Sequence, residues 1–384
     1  MISDLPRDLA ENVLIRLPMT SMRAVRSVCK EWNTLSKDSF FTKKHIAQAK
    51  AAAAEEFKVV MVMDSRVYLM GINFYEDVDP TINHHGKLIS LDDSSRVDVS
   101  LVYHCDGLLL CITKDFTKLV VWNPYLCQTL WLEPISTSLY SSYRYAIGYK
   151  NSKSCRSYKI LRLLSMCFMY EVYDLNSNSW SFFDVHPYWY IQCYARGVSL
   201  KGNTYWFARE LYRYQEMADF LICFDFTTER FGPRLRLPFG HPASEDTVSL
   251  SSVRDEQLAV LFQTCADNKQ MEIWVTVKIE PEVVSWNKVF LRVDMQPLTR
   301  FQFRVKAGSF FIDEEKKLVV VFDRDNKKVK NTPRRNTAYI IGEGGYFRKV
   351  DLGREASEIH DFPGKISPLG CSYVPSSVQI KQRN

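Results

Sequence analysis

Residues 120–132 read VVWNPYLCQTLWL, and two later stretches repeat their grammar: EVYDLNSNSWSFF at 171–183 and ICFDFTTERFGPR at 222–234. Each holds an apolar run, an aromatic followed by Asn or Asp, a turn, and a second aromatic. The leading aromatics Trp122, Tyr173 and Phe224 are spaced 51 and 51 residues apart, and Trp274 in MEIWVTVK follows at 50, with Trp286 after its turn. Tyr339 extends the series after a longer insertion, and Tyr68 starts it one unit earlier. Asn123, Asp174 and Asp225 can accept from the backbone two residues on and so fix each hairpin turn, while the aromatics cover neighbouring sheets. A period near 50 residues with a few short strands per unit is the pattern of propeller blades.

Around these phrases the sequence stays strand-like. From Phe57, runs such as FKVVMVM and RVYLMGINF alternate with turn signals, and no helical period is sustained. His104 to Cys111 reads as a turn into a buried strand, with Gly107 available for φ > 0, and Gly202 and Asn203 fill the turn before Tyr205-Trp206-Phe207. The WNP turn and the FDFTTERFGPRL run resemble the plant F-box-associated domain, a kelch-related β-propeller, over roughly residues 58–350. A kelch unit brings Gly-Gly to each blade, and here only Gly344-Gly345 exists. The expected fold class is therefore mainly β: a small N-terminal helical part followed by a kelch-like propeller of about six blades.

The N-terminal part reads LPRDLAENVLIRLPMTSMRAVRSVCKEWNTLSKDSF from Leu5 to Phe40. Pro6 suits a first helical turn and Asp8 complements its positive end. Leu5, Leu9, Val13 and Leu17 fall at steps of four with Leu14 beside them, until Pro18 stops the run. A second helix starting at Thr20 or Ser21 would carry Met22, Val25, Val28, Cys29 and Trp32 on one stripe. So short a module cannot bury both stripes internally, which predicts an apolar patch open to a partner. The combination of Leu5-Pro6, Asp8, Leu9, Leu14, Leu17-Pro18, Arg26, Val28-Cys29-Lys30, Trp32 and Leu35 resembles the F-box. Met22, where Leu is commoner, and Ser36, where an apolar residue is usual, are its departures. The resemblance implies docking to the Skp-type adaptor of a cullin–RING ubiquitin ligase through Leu5, Pro6, Leu9, Leu14, Leu17, Pro18, Val25, Val28, Cys29 and Trp32. It makes the chain a non-catalytic receptor subunit that presents a target protein for ubiquitination. The expected divisions are an F-box over 1–45, a helical connector over 46–56, the propeller over 57–370 and a tail over 371–384, with His45 read as an exposed helix residue.

The chain has 384 residues, 46% hydrophobic, 24% charged and 13% aromatic, which suits a β-rich body. Met1 to Ala10 carries Asp4, Arg7 and Asp8 in place of an apolar leader, and no apolar stretch approaches the roughly 18 residues of a membrane span. The ten scattered cysteines include no C-x-x-C pair, so we expect free thiols, no metal and no cofactor. Nucleus and/or cytoplasm is the expected location. A net charge of +6 does not argue for nucleic acid.

Gly-x-Ser-x-Gly, P-loop, Gly-x-Gly-x-x-Gly and His-Glu-x-x-His motifs are missing. Asp77/Asp79 and Asp92/Asp93 read as loop carboxylates, and His84-His85 as an exposed turn. The basic run Lys327, Lys328, Lys330, Arg334 and Arg335 reads as a solvated loop, with a nuclear import signal or acidic-target contact as its functional counterpart. Tyr143, Arg144, Tyr188, Trp189, Tyr212 and Arg213, with Tyr140, Tyr145, Tyr190 and Tyr214 beside them, are placed in loops between blade strands. They are the candidate target surface, because Tyr, Trp and Arg anchor protein interfaces. Two alternatives stand beside the receptor reading: a propeller scaffold working outside a ligase, and a propeller enzyme using its central channel.

Overall fold

The computed structural model describes residues 6–52, 56–63, 65–73, 81–87, 97–133, 143–151, 156–164, 169–184, 188–192, 195–210, 219–240, 242–243, 245–265, 270–295, 302–303, 309–324, 335–354 and 369–380. Helices come first: α1 (Arg7–Leu14), α2 (Met22–Val28), α3 (Lys30–Leu35) and α4 (Ser39–Ala52). Pro6 precedes α1 at φ −51°, with Asp8 in the first turn. The stripe expected on one helix from Met22 to Trp32 is divided, because Cys29 is extended at φ −157° and ψ 166°. Its Sγ accepts the Trp32 N–H at 3.4 Å and so caps α3. The break swings Trp32 and Leu35 inward beside Met22 and Val25 and leaves Val28 outside. α4 runs unbroken through residue 45 to Ala52, so the boundary expected there falls inside one helix.

Strands follow in sets. The first blade holds β1 (Glu56–Met63), β2 (Arg66–Asn73) and β3 (Thr81–Lys87); the second, β4 (Val99–Cys105), β5 (Leu108–Thr113), β6 (Leu119–Asn123) and β7 (Gln128–Leu132). The third is β8 (Tyr143–Asn151), β9 (Arg156–Leu164), β10 (Met169–Asp174) and β11 (Ser179–Asp184). The fourth has β12 (Trp189–Tyr190), β13 (Val198–Leu200), β14 (Asn203–Glu210), β15 (Phe220–Asp225), β16 (Arg230–Phe231) and β17 (Leu235–Arg236). The fifth has β18 (Thr247–Val253), β19 (Gln257–Gln263), β20 (Gln270–Glu280), β21 (Val283–Trp286) and β22 (Leu291–Asp294). The sixth has β23 (Ser309–Asp313), β24 (Leu318–Arg324), β25 (Arg335–Gly342) and β26 (Phe347–Arg354). The protein is thus a six-bladed propeller behind N-terminal helices.

Every leading aromatic of the sequence repeat lies on the third strand of its sheet: Tyr68 on β2, Trp122 on β6, Tyr173 on β10, Phe224 on β15, Trp274 on β20 and Tyr339 on β25. The turn carboxylates act as expected. Asp174 Oδ1 accepts from Asn176 N at 2.8 Å and Asp225 Oδ1 from Thr227 N at 2.8 Å, whereas Asn123 Oδ1 accepts three residues on, from Leu126 N at 3.0 Å. Gly107 and Gly202 take φ 78° and 87° in two-residue hairpins, conformations open to glycine at little cost.

Central strands such as β5 and β9 are covered on both faces, which is why they read as continuous apolar runs. Val60 and Val62 of β1 point toward the second blade, while Val59 and Met61 point toward the sixth. Leu109 and Cys111 of β5 face the first blade, and Leu108 and Leu110 the third. Further clusters join third to fourth, fourth to fifth and fifth to sixth, so the apolar packing runs round the ring. Full burial of one such Val, Leu or Ile contributes about 1.5–3 kcal/mol.

The ring is closed by β27 (Leu369–Ser372), which pairs antiparallel with β1 from Val59↔Ser372 to Val62↔Leu369. The C-terminal segment therefore supplies the first strand of the first sheet. The tail expected from residue 371 is corrected accordingly. Cys371 is in the ladder, Tyr373 and Ile380 are buried, and Asn123 Nδ2 donates to the carbonyls of Ser376 (3.0 Å) and Val378 (2.8 Å).

Candidate functional site

α1 carries two adjacent apolar stripes on opposite sides of a boundary. Ala10 and Leu14 are buried, whereas Leu9 and Val13 are each 48% exposed. Val28 at the end of α2 and Phe40 at the start of α4 are 56% and 69% exposed. Among the described residues these four make up nearly half of the nine exposed large apolar side chains, all within residues 9–40. Exposed apolar side chains concentrated in one short module are the raw material of a partner surface.

Of the expected adaptor-binding residues, Pro6, Leu9, Pro18 and Val28 are exposed and Leu17 and Cys29 half-buried. Leu14, Val25 and Trp32, at 0%, 5% and 8%, are core residues of the helical module, and Leu5 lies outside the described residues. Val13 and Phe40 are exposed as well. Val13 was legible as part of the α1 stripe, but Phe40 has no periodic signal.

The core of the module is seated on the second blade. Its core includes Tyr125 and Leu126 from the turn between β6 and β7, together with Phe41 and Ile46 of α4. His45 is 1% exposed, which corrects its reading as a surface residue. Its ring fixes the joint: Nε2–H donates to the Leu17 carbonyl at 2.8 Å, leaving Nδ1 to accept the Tyr125 hydroxyl at 2.9 Å. Burial pushes the His45 pKa below its ordinary value, opposed by the Leu17 carbonyl and reinforced by the charge of Arg26. The Tyr125 phenol is pushed up to about 12 by burial. Arg26 ties the same turn, donating from Nη1 to the Tyr125 carbonyl (2.5 Å), from Nε to Ser36 Oγ (3.1 Å) and from Nη2 to the Ser36 carbonyl (3.3 Å). The signal for this joint lies in the repeat itself. The corresponding turns hold Asn176-Ser177-Asn178 and Thr227-Thr228-Glu229, where this one holds Tyr125-Leu126-Cys127.

The candidate target surface divides differently. Tyr143, Arg144 and Tyr145 are not in a loop but on β8, the inner strand of the third blade, and are buried at 8%, 6% and 1%. Arg144 donates from Nε to the Gln192 carbonyl at 3.1 Å, and the Arg162 guanidinium stacks 3.5 Å from the Tyr143 ring centre. Trp189 is half-buried on β12 with its ring 5.0 Å from Phe231, and Tyr190 is half-buried beside it. Tyr188 is exposed at 69%. Tyr140, Tyr212, Arg213 and Tyr214 lie outside the described residues.

The other candidates resolve in part. His84 and His85 lie on β3, with His85 at a register shift opposite Leu69 and Met70, so the expected turn is a bulged strand. Arg335 opens β25 and pairs with Asp351 at 2.6 Å; the rest of the basic run, Asp77/Asp79 and Asp92/Asp93 lie outside the described residues. Among the described residues no group of three or more His, Cys, Asp or Glu is placed to hold a metal, no helix is long and apolar enough to cross a membrane, and seven cysteines are free thiols.

Comparison with known proteins agrees with this layout. The F-box domain model matches residues 2–44, and the F-box associated beta propeller domain model matches residues 58–380. A putative F-box protein of Arabidopsis thaliana is 55% identical over 397 residues, spanning 100% of this chain and 97% of that one. An F-box/kelch-repeat protein of the same plant is 55% identical over 402 residues, spanning 99% of each. Among solved structures a nidogen/laminin complex matches at TM-score 0.36 and 10% identity over 74% of this chain and 89% of that one, too weak a likeness for argument. F-box proteins are in general non-catalytic adaptors, and an F-box implies a Skp-type adaptor as partner. Helices with an open apolar face, a six-bladed ring behind them and both domain matches place the chain among the F-box proteins that carry an F-box associated β-propeller.

Proposed function

We propose that this protein is the substrate receptor of an SCF-type cullin–RING ubiquitin ligase, with the F-box docked on a Skp-type adaptor and the propeller holding a target protein for ubiquitination and proteasomal degradation. The observation that carries the reading is the split character of the helical module. Its core is locked to the second blade through Tyr125 and Leu126, while Leu9, Val13, Val28 and Phe40 stay open to solvent. The mechanism is proximity. A target lysine held on the propeller meets a ubiquitin thioester at raised effective concentration, and the bond-making groups belong to other subunits. Free buried thiols support a reducing compartment, nucleus and/or cytoplasm.

The test is capture of purified Skp-type adaptor by the full chain, wild type beside Leu9→Asp/Val13→Asp and Val28→Asp. Each charge on an exposed site should weaken capture by tenfold or more (about 1.4 kcal/mol) with little change in melting temperature, since surface changes fall within about 0.5 kcal/mol. Undiminished capture by all variants would remove the docking assignment. Capture without any change in target lifetime when the proteasome is blocked would favour a scaffold outside a ligase. Trp32→Ala, by contrast, acts through the fold of the module because Trp32 is buried.

A further inference from the structure

Around the axis the inner strands enclose a cavity of about 80 Å³, partly open to solvent, several times the roughly 10–15 Å³ one water needs. Six serines line it, with Arg196 and Arg209. Arg209 is neutralised by Asp219, Nε to Oδ1 at 3.1 Å. Asp246 on the wall has both oxygens engaged by the backbone N–H groups of Ala243 (2.8 Å) and Cys265 (2.7 Å). His104 is held below its ordinary pKa by burial, and its Nε2 accepts the Gly107 N–H at 2.9 Å.

Arg196 differs from all of these. It leaves the segment before β13 in the fourth blade and reaches three others. Nη1 donates to Ser309 Oγ (3.0 Å) in the sixth and to the Gly370 carbonyl (3.2 Å) in the first, and Nη2 to the Val102 carbonyl (2.6 Å) in the second. Every one of these acceptors is neutral. Among the described residues no carboxylate pairs with this guanidinium, and its Nε, shielded from solvent, donates to none of them. Arg196 is half-buried, and a cation partly withdrawn from water without a counter-charge is costly. With Nη1 engaged twice and Nη2 once, the Nε and Nη2 edge of the guanidinium is the part left to meet two oxygens of an oxyanion. Ser199 and Ser309 already donate to the Ile147 (2.7 Å) and Gly370 (2.5 Å) carbonyls, but Ser249 and the Ser252–Ser372 pair, which share one bond at 3.1 Å, line the same cavity with hydroxyls that can turn to donate.

We propose that the axial cavity is an oxyanion site in which Arg196 and the surrounding serine hydroxyls hold a phosphate group, borne by a small molecule or by a phosphorylated side chain of a target. The site stands independently of the receptor reading; only the second source rests on it. The missing counter-charge is then supplied by the ligand, and its arrival draws the first, second, fourth and sixth blades onto one group.

Calorimetric titration of the full chain at constant ionic strength in chloride tests this, with inorganic phosphate and with N-acetyl-phosphoserine N-methylamide as probes. The expected result is saturable binding of at least one probe with Kd of about 1 mM or tighter, weakened tenfold or more in Arg196→Gln and less in Arg196→Lys, which keeps the charge and loses the fork. Tighter binding of the blocked phosphoserine assigns the side-chain source; tighter or equal binding of inorganic phosphate assigns the small molecule. No saturable binding of either probe, or unchanged binding in Arg196→Gln, overturns the proposal. Should Arg196→Gln fail to fold, hydrogen exchange on the wild type decides: phosphate must slow exchange at residues 196–200, 309–313 and 369–372, and equal exchange with and without it overturns the site.

Discussion

Replacing Tyr125 by alanine isolates the joint between F-box and propeller. Tyr125 is 3% exposed, and its ring packs among Phe41, Ile46 and the rest of the helical core. Truncating a buried aromatic to alanine costs about 3–5 kcal/mol. The hydroxyl bond to His45 Nδ1 goes with it, about 1 kcal/mol, as does the Arg26 guanidinium 5.6 Å from the ring centre, about 0.5 kcal/mol. These overlap, so about 4 kcal/mol is the working figure. At 1.4 kcal/mol per factor of ten, local opening of the helices rises roughly a thousandfold. Tyr125→Phe keeps the ring and loses only the hydroxyl, about 1 kcal/mol or roughly fivefold. The assay is native-state hydrogen exchange followed peptide by peptide. Protection should collapse over residues 7–46 in Tyr125→Ala, fall slightly in Tyr125→Phe, and hold in the third to sixth blades of both. Unchanged protection of the helices in Tyr125→Ala would refute the reasoning, because the module would then be shown to stand without its seat.

Three other consequences are open to measurement. His45 has its pKa lowered in the folded state, so as pH falls below the unfolded value near 6.5 the unfolded chain binds the proton first. The contribution of His45 is complete above that pH and is lost as pH drops toward the folded pKa; helix protection should fall as pH is lowered through about 6.5 in the wild type and less in His45→Gln. A chain ending at Pro368 loses β27 and every contact of residues 369–380, and should show no cooperative unfolding transition. Asn123→Ala, which removes two donations to the C-terminal segment and one acceptance from Leu126 N, should lower stability by roughly 2–4 kcal/mol in a urea titration.

The blades were legible because each is one repeating unit with an aromatic on its third strand, so period and residue type coincide from Trp122 to Trp274 and residue type alone carries the series to Tyr68 and Tyr339. The same aromatic richness misplaced Tyr143 and Arg144. An inner strand buried on both faces lacks the alternation that separates strand from loop, and Tyr143-Arg144-Tyr145 gives no local hint that an arginine lies inside. Ring closure has no local signal either, since Val60 pairs with Cys371. His45 was recoverable: it follows Phe41 at a step of four, with Ile46 beside it, and tracing α4 as a stripe would have turned it inward. The break at Cys29 was not, because its flanks are ordinary helix formers and only the packing of Trp32 requires it.

One turn joins the separate parts of this molecule. Asn123 holds the C-terminal segment through Ser376 and Val378, and three residues on, Tyr125 and Leu126 seat the F-box. The segment from Tyr373 to Ile380 continues directly from the strand that closes the ring. Closure of the propeller and seating of the F-box therefore depend on neighbouring residues of the second blade. A receptor that works by proximity requires a set distance between adaptor and target, because effective concentration falls as the linkage loosens. In the proposed receptor that distance would be set by Arg26, His45 and Tyr125, so loosening the joint should lower ubiquitin transfer even where adaptor capture and target binding are each intact.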